Sequence, residues 1–129
     1  MARVLIADHS EFFRTLIRRT LEIDDHEVIE ATDGGHALEL LAAHRPELVV
    51  LDVVLPRLDG LSVCRVVRAD PWLRRTALII LSADADAEGA IDAGADRFVS
   101  KPFRPFEVLA VVDELLQPSQ RPERRHVAL

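Results

Sequence analysis

Five short aliphatic runs alternate with five helical patterns, and that alternation limits the possible folds more than any other feature of the chain. The runs are Val4 to Ala7, Val28 to Ala31, Leu48 to Leu51, Leu78 to Leu81 and the weaker Phe98 to Val99. Aliphatic runs with little polar alternation suit strands covered on both faces, as in parallel sheets. Ser10 can cap a helix from about Glu11, with Phe13, Leu16, Ile17 and Leu21 on one stripe and Arg14, Arg18 and Arg19 largely off it. Asp33 can cap a second helix carrying Ala37, Leu38, Leu41 and Ala42, stopped by Pro46. A third follows Gly60 with Val63, Val66 and Val67 and ends before Pro71. The fourth, Ala85 to Ala93, is alanine-rich, and Gly94 stands where a helix end wants a left-handed residue. The fifth runs from about Pro105, turns Val108, Leu109, Val111, Val112, Leu115 and Leu116 inward and stops at Pro118. Five strand–helix repeats of this kind predict an α/β fold with a parallel sheet and right-handed crossovers.

Its 129 residues suit one domain, placed at 1–116, and the segment 117–129 reads as a flexible tail with two prolines, three arginines and one glutamate. That tail either solubilises the chain or meets an acidic partner. Acidic residues outnumber basic ones 22 to 16, which argues against direct nucleic-acid binding. The apolar stretch at Val4 to Ala7 is too short for a signal peptide or a membrane span. A single cysteine, Cys64, allows neither an internal disulfide nor a cysteine-rich zinc site and reads as a small buried group. A reducing cytoplasm, with no membrane contact, is the expected location. His26, His36, His44 and His126 read as surface or cap residues, and Trp72 is expected to pack at the sheet edge away from the ligand side.

In open parallel sheets the ligand site lies outside the carboxyl ends of the strands. Asp8 and His9 follow the first run, Asp52 the third, Ser82, Ala83 and Asp84 the fourth, and Ser100, Lys101 and Pro102 the fifth. One such acid could be a helix cap, but two carboxylates, a hydroxyl and an ammonium converging at one rim ask for a chemical reason. Lys101 is the only lysine in a chain with fifteen arginines, which favours a role for a compact point charge. An aspartate that becomes phosphorylated needs such a set. A divalent cation offsets the incoming charge, a hydroxyl contacts the phosphoryl group, and an ammonium re-pairs afterwards. Asp52 is the candidate nucleophile, Asp8 a metal ligand, Ser82 a phosphoryl contact and Lys101 the group that changes partner.

The segment LVVLDVVLPRLDG, residues 48–60, closely resembles the phosphoacceptor region of bacterial response-regulator receiver domains, with Asp52, Pro56, Asp59 and Gly60 in register. IILSA at 79–83 and GADRFVSKPF at 94–103 resemble that family's later motifs, and the resemblance covers roughly residues 2–116. It implies a flavodoxin-like three-layer sandwich with strand order 2-1-3-4-5 and a cis peptide between Lys101 and Pro102. It also implies phosphoryl transfer to Asp52 from a sensor histidine kinase or phosphotransfer protein, with Mg²⁺ held by Asp8, Asp52 and the Val54 backbone carbonyl. Ser82 would then swing inward and Phe98 follow it, altering the face built from the fourth helix, fifth strand and fifth helix. A downstream protein, or a second copy of the chain in a phosphorylation-dependent dimer, would read that face. Arg14, Ile17 and Arg18 fall where the family meets its kinases. With nothing following the tail, output is expected to pass through a separate partner.

Two positions depart from the family. His9 stands where receivers usually carry a second, metal-binding acid, and imidazole is a poor ligand for Mg²⁺. Three outcomes follow, in order of preference: the remaining oxygens hold Mg²⁺ more weakly with added water, Glu11 reaches in, or His9 helps hold a softer metal. The rival function is a receiver that acts as a phosphate-independent protein-binding module. In the family the side chains at the positions of Val54 and Asp84 flank the attacking water, and an apolar Val54 cannot hydrogen-bond it, so a long-lived phosphoaspartate is expected. Small Ala83 leaves the approach to Asp52 open. Enzyme readings fare poorly. The turn ADHSE contains no glycine for a dinucleotide, Gly34-Gly35 lacks the lysine of a P-loop, and Val54 replaces the second aspartate of phosphatases that use an aspartyl phosphate.

Overall fold

The computed structural model describes residues 2–83 and 87–117. Among the described residues five strands and five helices alternate: β1 (Arg3–Ala7), α1 (Glu11–Ile23), β2 (Glu27–Ala31), α2 (Gly34–His44), β3 (Leu48–Asp52), α3 (Gly60–Ala69), β4 (Ala77–Ser82), α4 (Ala87–Asp92), β5 (Arg97–Ser100) and α5 (Pro105–Leu116). The strands form one parallel sheet in the order β2-β1-β3-β4-β5, so β1 pairs on both sides, with Leu5 opposite Ile29 and Val49. This is the flavodoxin-like order expected above, and it reverses direction between β1 and β3.

Side chains leave a strand alternately to its two faces, and here both faces are buried. Leu5, Ala7, Val49, Leu51, Leu78 and Ile80 meet Ala37, Leu41, Val63, Val67 and Ala90 of α2, α3 and α4. Val4, Ile6, Leu48, Val50, Ile79 and Leu81 meet Ile17, Leu21, Val108, Val112 and Leu115 of α1 and α5. Each buried Leu or Ile contributes about 1.5–3 kcal/mol relative to exposure, and a one-residue slip would send every strand side chain to the wrong layer. The two-layer core therefore pins the register, and the register pins which residue ends each strand.

The caps form where the sequence places them. Ser10 Oγ accepts from the Phe13 N–H at 3.3 Å, Asp33 caps α2 through the His36 N–H at 2.8 Å, and Gly94 takes a φ of +110° after α4. Asp33 is held below the usual carboxylate range, first by that backbone bond. Three expectations need correction. Val66 is exposed, and the inner face of α3 is made by Val63, Cys64 and Val67, because the stripe turns one position further round. Trp72 does not pack on the sheet: it is 75% exposed, with the Arg45 guanidinium 5.1 Å from its ring centre. His26 is buried, its Nδ1 accepting the Ala2 N–H at 3.1 Å and its Nε2 3.8 Å from Asp113. Cys64 is buried as expected, and burial pushes its thiol up to about 12, so it is inert at neutral pH. The first residues expected in the fourth helix and the tail from 118 onward lie outside the described residues. None of the helices among the described residues is long and apolar enough to cross a membrane.

Candidate functional site

Asp8 directly follows β1, Asp52 and Ser82 end β3 and β4, and Lys101 directly follows β5. Parallel pairing brings the four to one rim. Lys101 Nζ donates to Asp8 Oδ2 at 2.7 Å and to Asp52 Oδ2 at 3.2 Å, joining residues 93 and 49 positions away in the chain. The Lys101 N–H donates to the Ser82 carbonyl at 2.8 Å, and the Lys101–Pro102 peptide is cis. The ammonium also lies 4.1 Å from the centre of the Phe13 ring, which in turn packs on Phe103. Phe13 thus belongs to the site, a role that its place on a helical stripe did not disclose. A flexible lysine fixed by two carboxylates and an aromatic face has one place to stand.

Neighbouring backbone holds each acid. Asp8 accepts the Ser10 N–H on Oδ1 at 2.9 Å, while its carbonyl accepts from Arg14 at 2.8 Å. Asp52 Oδ1 accepts the Val54 N–H at 3.3 Å. The start of α3 is pressed against the end of β3, since a Cβ on Gly60 would stand 2.2 Å from the Asp52 carbonyl oxygen. Only glycine fits there, and Asp59 beside it caps α3 through the Ser62 N–H. Burial, reinforced by the Asp8 charge, pushes the Asp52 carboxyl above the usual aspartate range, with Lys101 opposing. Two acids share one ammonium, so this rim carries an excess of negative charge in a place that is mostly dry.

His9 enters the same cluster. Its Nδ1 is 3.1 Å from the Val54 carbonyl oxygen, 3.7 Å from Asp52 Oδ2 and 3.9 Å from Asp8 Oδ1. A carbonyl only accepts, so Nδ1 carries the proton in this arrangement. Asp8, His9 and Asp52 form a group able to hold a cation, with the Val54 carbonyl beside it. The three oxygen donors fit a hard divalent ion, and His9 adds a nitrogen that competes for one of them. Glu11 is not part of that group: it is exposed on the first turn of α1 and lines an open groove of about 470 Å³ with Phe12, Thr15, Leu16 and Arg19. Ile17, expected on a docking surface, is 1% exposed and belongs to the core, while Arg14 and Arg18 both bind Glu30. Phe98 is half-buried against the layer under α2, α3 and α4, one residue from the core-facing Val99. Ala83 is exposed, and Asp84 lies outside the described residues.

The response regulator receiver domain model matches residues 4–113. The chain is a receiver domain of the response-regulator family. Among curated relatives, the response regulator MprA of Mycolicibacterium vanbaalenii is 41% identical over 117 residues, covering 89% of this chain and 50% of its own length. That of Mycobacterium leprae is 40% identical over 117 residues, again covering 89% of this chain and 51% of its own length. The chain therefore spans about half the length of the curated relatives it matches. Among solved structures, a receiver domain of a signal-transduction histidine kinase from Syntrophus aciditrophicus superposes with a TM-score of 0.86 at 28% identity, covering 95% of this chain and 96% of that one. The chemotaxis response regulator CheY4 of Vibrio cholerae gives 0.85 at 28% identity, over 90% of this chain and 99% of that one. A receiver domain of a Pseudomonas aeruginosa sensor histidine kinase, solved with magnesium coordinated in its active-site cleft, gives 0.80 at 28% identity, over 87% and 94%. The receiver domain described here is a module of two-component signalling.

Proposed function

We propose that this receiver domain is a cytoplasmic phosphoacceptor switch in which Asp52 takes a phosphoryl group from a histidine kinase or a phosphotransfer protein. The observation that carries the reading is the pairing of Lys101 with both Asp8 and Asp52 at the strand ends. An Asp52 oxygen attacks phosphorus, the phosphorus–nitrogen bond of the donor's phosphohistidine breaks, and the donor imidazole leaves with the electron pair. Asp8, Asp52 and the Val54 carbonyl hold the divalent cation. When bound, that cation offsets the charge on the phosphoryl group in transfer, as the magnesium-bearing relative also supports. The product adds about −1.5 to −2 charges at this rim. Lys101 then moves its bond from the Asp52 carboxylate to a phosphoryl oxygen, the Ser82 hydroxyl donates to another, and Phe98 shifts toward the space Ser82 vacates. The face of α4, β5 and α5 changes for a protein partner or a second copy. The domain acts as a switch and not as an enzyme on a separate substrate.

His9 supports two refinements. Its bond to the Val54 carbonyl weakens Mg²⁺ binding, since that oxygen must first be released. The same bond favours a second reading, a receiver that binds its partner without phosphate. Intact mass after incubation with a small phosphodonor and Mg²⁺ separates the two: one added phosphoryl group on wild type and none on Asp52→Asn is expected, whereas no addition at saturating donor favours the binding module. The Val54 side chain is exposed beside Asp52 and offers water no hydrogen bond. A Val54→Asn variant should lose its phosphoryl group several-fold faster, and an unchanged half-life would remove this account of a slow switch.

A further inference from the structure

His9 brings a nitrogen donor to a rim whose other candidate ligands are oxygens. Ligand atoms about 2.0–2.2 Å from a common ion stand roughly 3 to 4.2 Å from one another. His9 Nδ1 stands 3.1, 3.7 and 3.9 Å from the Val54 carbonyl, Asp52 Oδ2 and Asp8 Oδ1. All three nitrogen-to-oxygen separations fall within that range.

The tautomer permits it. Nδ1 now carries a proton toward the Val54 carbonyl, while Nε2 has no partner among the described residues on a side chain 53% exposed. Moving that proton to Nε2 through solvent leaves the ring neutral, frees the Nδ1 lone pair for an ion and releases the Val54 carbonyl in the same step. The other acid–histidine group, Asp24, His26 and Asp113, shows the opposite arrangement. There Nδ1 accepts the Ala2 N–H, so Nε2 holds the proton toward Asp113 and has no lone pair for a metal.

We propose, resting on the phosphoacceptor reading, that the cation held beside Asp52 is a borderline transition-metal ion of the zinc or cobalt type, bound in part through His9 Nδ1, in preference to Mg²⁺. Oxygen-only sites also favour transition ions to some degree, so the test is the shift in preference caused by His9 and not the preference itself. The metal-free full chain is titrated separately with Mg²⁺ and with Co²⁺ by calorimetry, alongside His9→Asp and His9→Ala. The ratio of Co²⁺ to Mg²⁺ affinity should fall about tenfold or more in His9→Asp, chiefly because Mg²⁺ binding is gained. His9→Ala should lose Co²⁺ affinity without gaining Mg²⁺. In Co²⁺-loaded wild type, proton NMR should show a paramagnetically shifted imidazole N–H, from Nε2, that His9→Ala lacks. A ratio in His9→Asp within twofold of wild type, or no shifted N–H in wild type, overturns the proposal. Phosphodonor reactions run with each ion keep the two readings apart. Transfer to Asp52 with an unmoved ratio removes the ion selection and keeps the switch. A moved ratio without transfer under either ion removes the switch and keeps the selection.

Discussion

The two ends of the sheet carry polar clusters of opposite character. At the amino-terminal ends of the strands, Arg68 reaches from α3 to the carbonyls of Gly94, Arg74 and Thr76 and to Asp96, whose carboxylate also accepts the Leu78 N–H. The Arg68 guanidinium meets the Asp96 carboxylate, and backbone groups take up further donors and acceptors. At the carboxyl ends, two carboxylates share one ammonium, and burial, reinforced by the Asp8 charge, pushes the Asp52 carboxyl up. The first cluster is balanced and holds α3, β4 and β5 together. The second carries an excess charge, which under the proposed function a cation would relieve and a phosphoryl group would reorganise. A signalling domain needs both: a firm base, and a rim whose preferred pairing changes when charge is added.

Breaking the base should have the larger effect. Arg68→Met takes the guanidinium away from the buried Asp96 carboxylate and should cost about 3–5 kcal/mol in denaturant unfolding. A loss below about 1 kcal/mol would show the two ends to be alike. Lys101→Met should cost about 1–2 kcal/mol at pH 8, and part of it should return at a more acid pH, where the Asp52 carboxyl, raised by burial, takes up a proton. Equal losses at both pH values would contradict the shared-charge account.

The smallest effect has the opposite sign. A carboxyl raised above its unfolded value destabilises the folded state at pH above the folded pKa, and that penalty disappears as pH falls to the unfolded pKa. Asp52→Asn should therefore be more stable than wild type near pH 8, with the gap closing under acid. A variant less stable than wild type at pH 8 would mean that Asp52 is a net support of the fold.

Much of this architecture is legible in the chain because it is local. Runs such as LVVL and LIIL announce buried strands, Ser10, Asp33 and Gly94 announce helix ends, and the residue after each run must lie at the rim once the strands are parallel. Asp8, Asp52, Ser82 and Lys101 could be picked out for that reason alone. What escaped depends on groups far apart in sequence. Arg68 and Asp96 meet across 28 positions, His9 meets the Val54 carbonyl across 45, and Phe13 meets Lys101 only because the first turn of α1 and the residue after β5 stand at the same rim. His26 looked like a surface residue until the Ala2 N–H and Asp113 were seen around it, and Ile17 looked available for docking until α5 covered it. Periodicity tells which side of a helix is apolar, but not which neighbour a polar group on its border will find.

The most direct test of the account is the chemical identity of residue 52 after exposure to a phosphodonor. Borohydride reduction converts an aspartyl phosphate to homoserine, and peptide sequencing by mass spectrometry then reads the position. Homoserine at position 52 alone, dependent on donor and divalent cation, is the predicted result; homoserine at another acid, or none under saturating donor with either Mg²⁺ or Co²⁺, would contradict it.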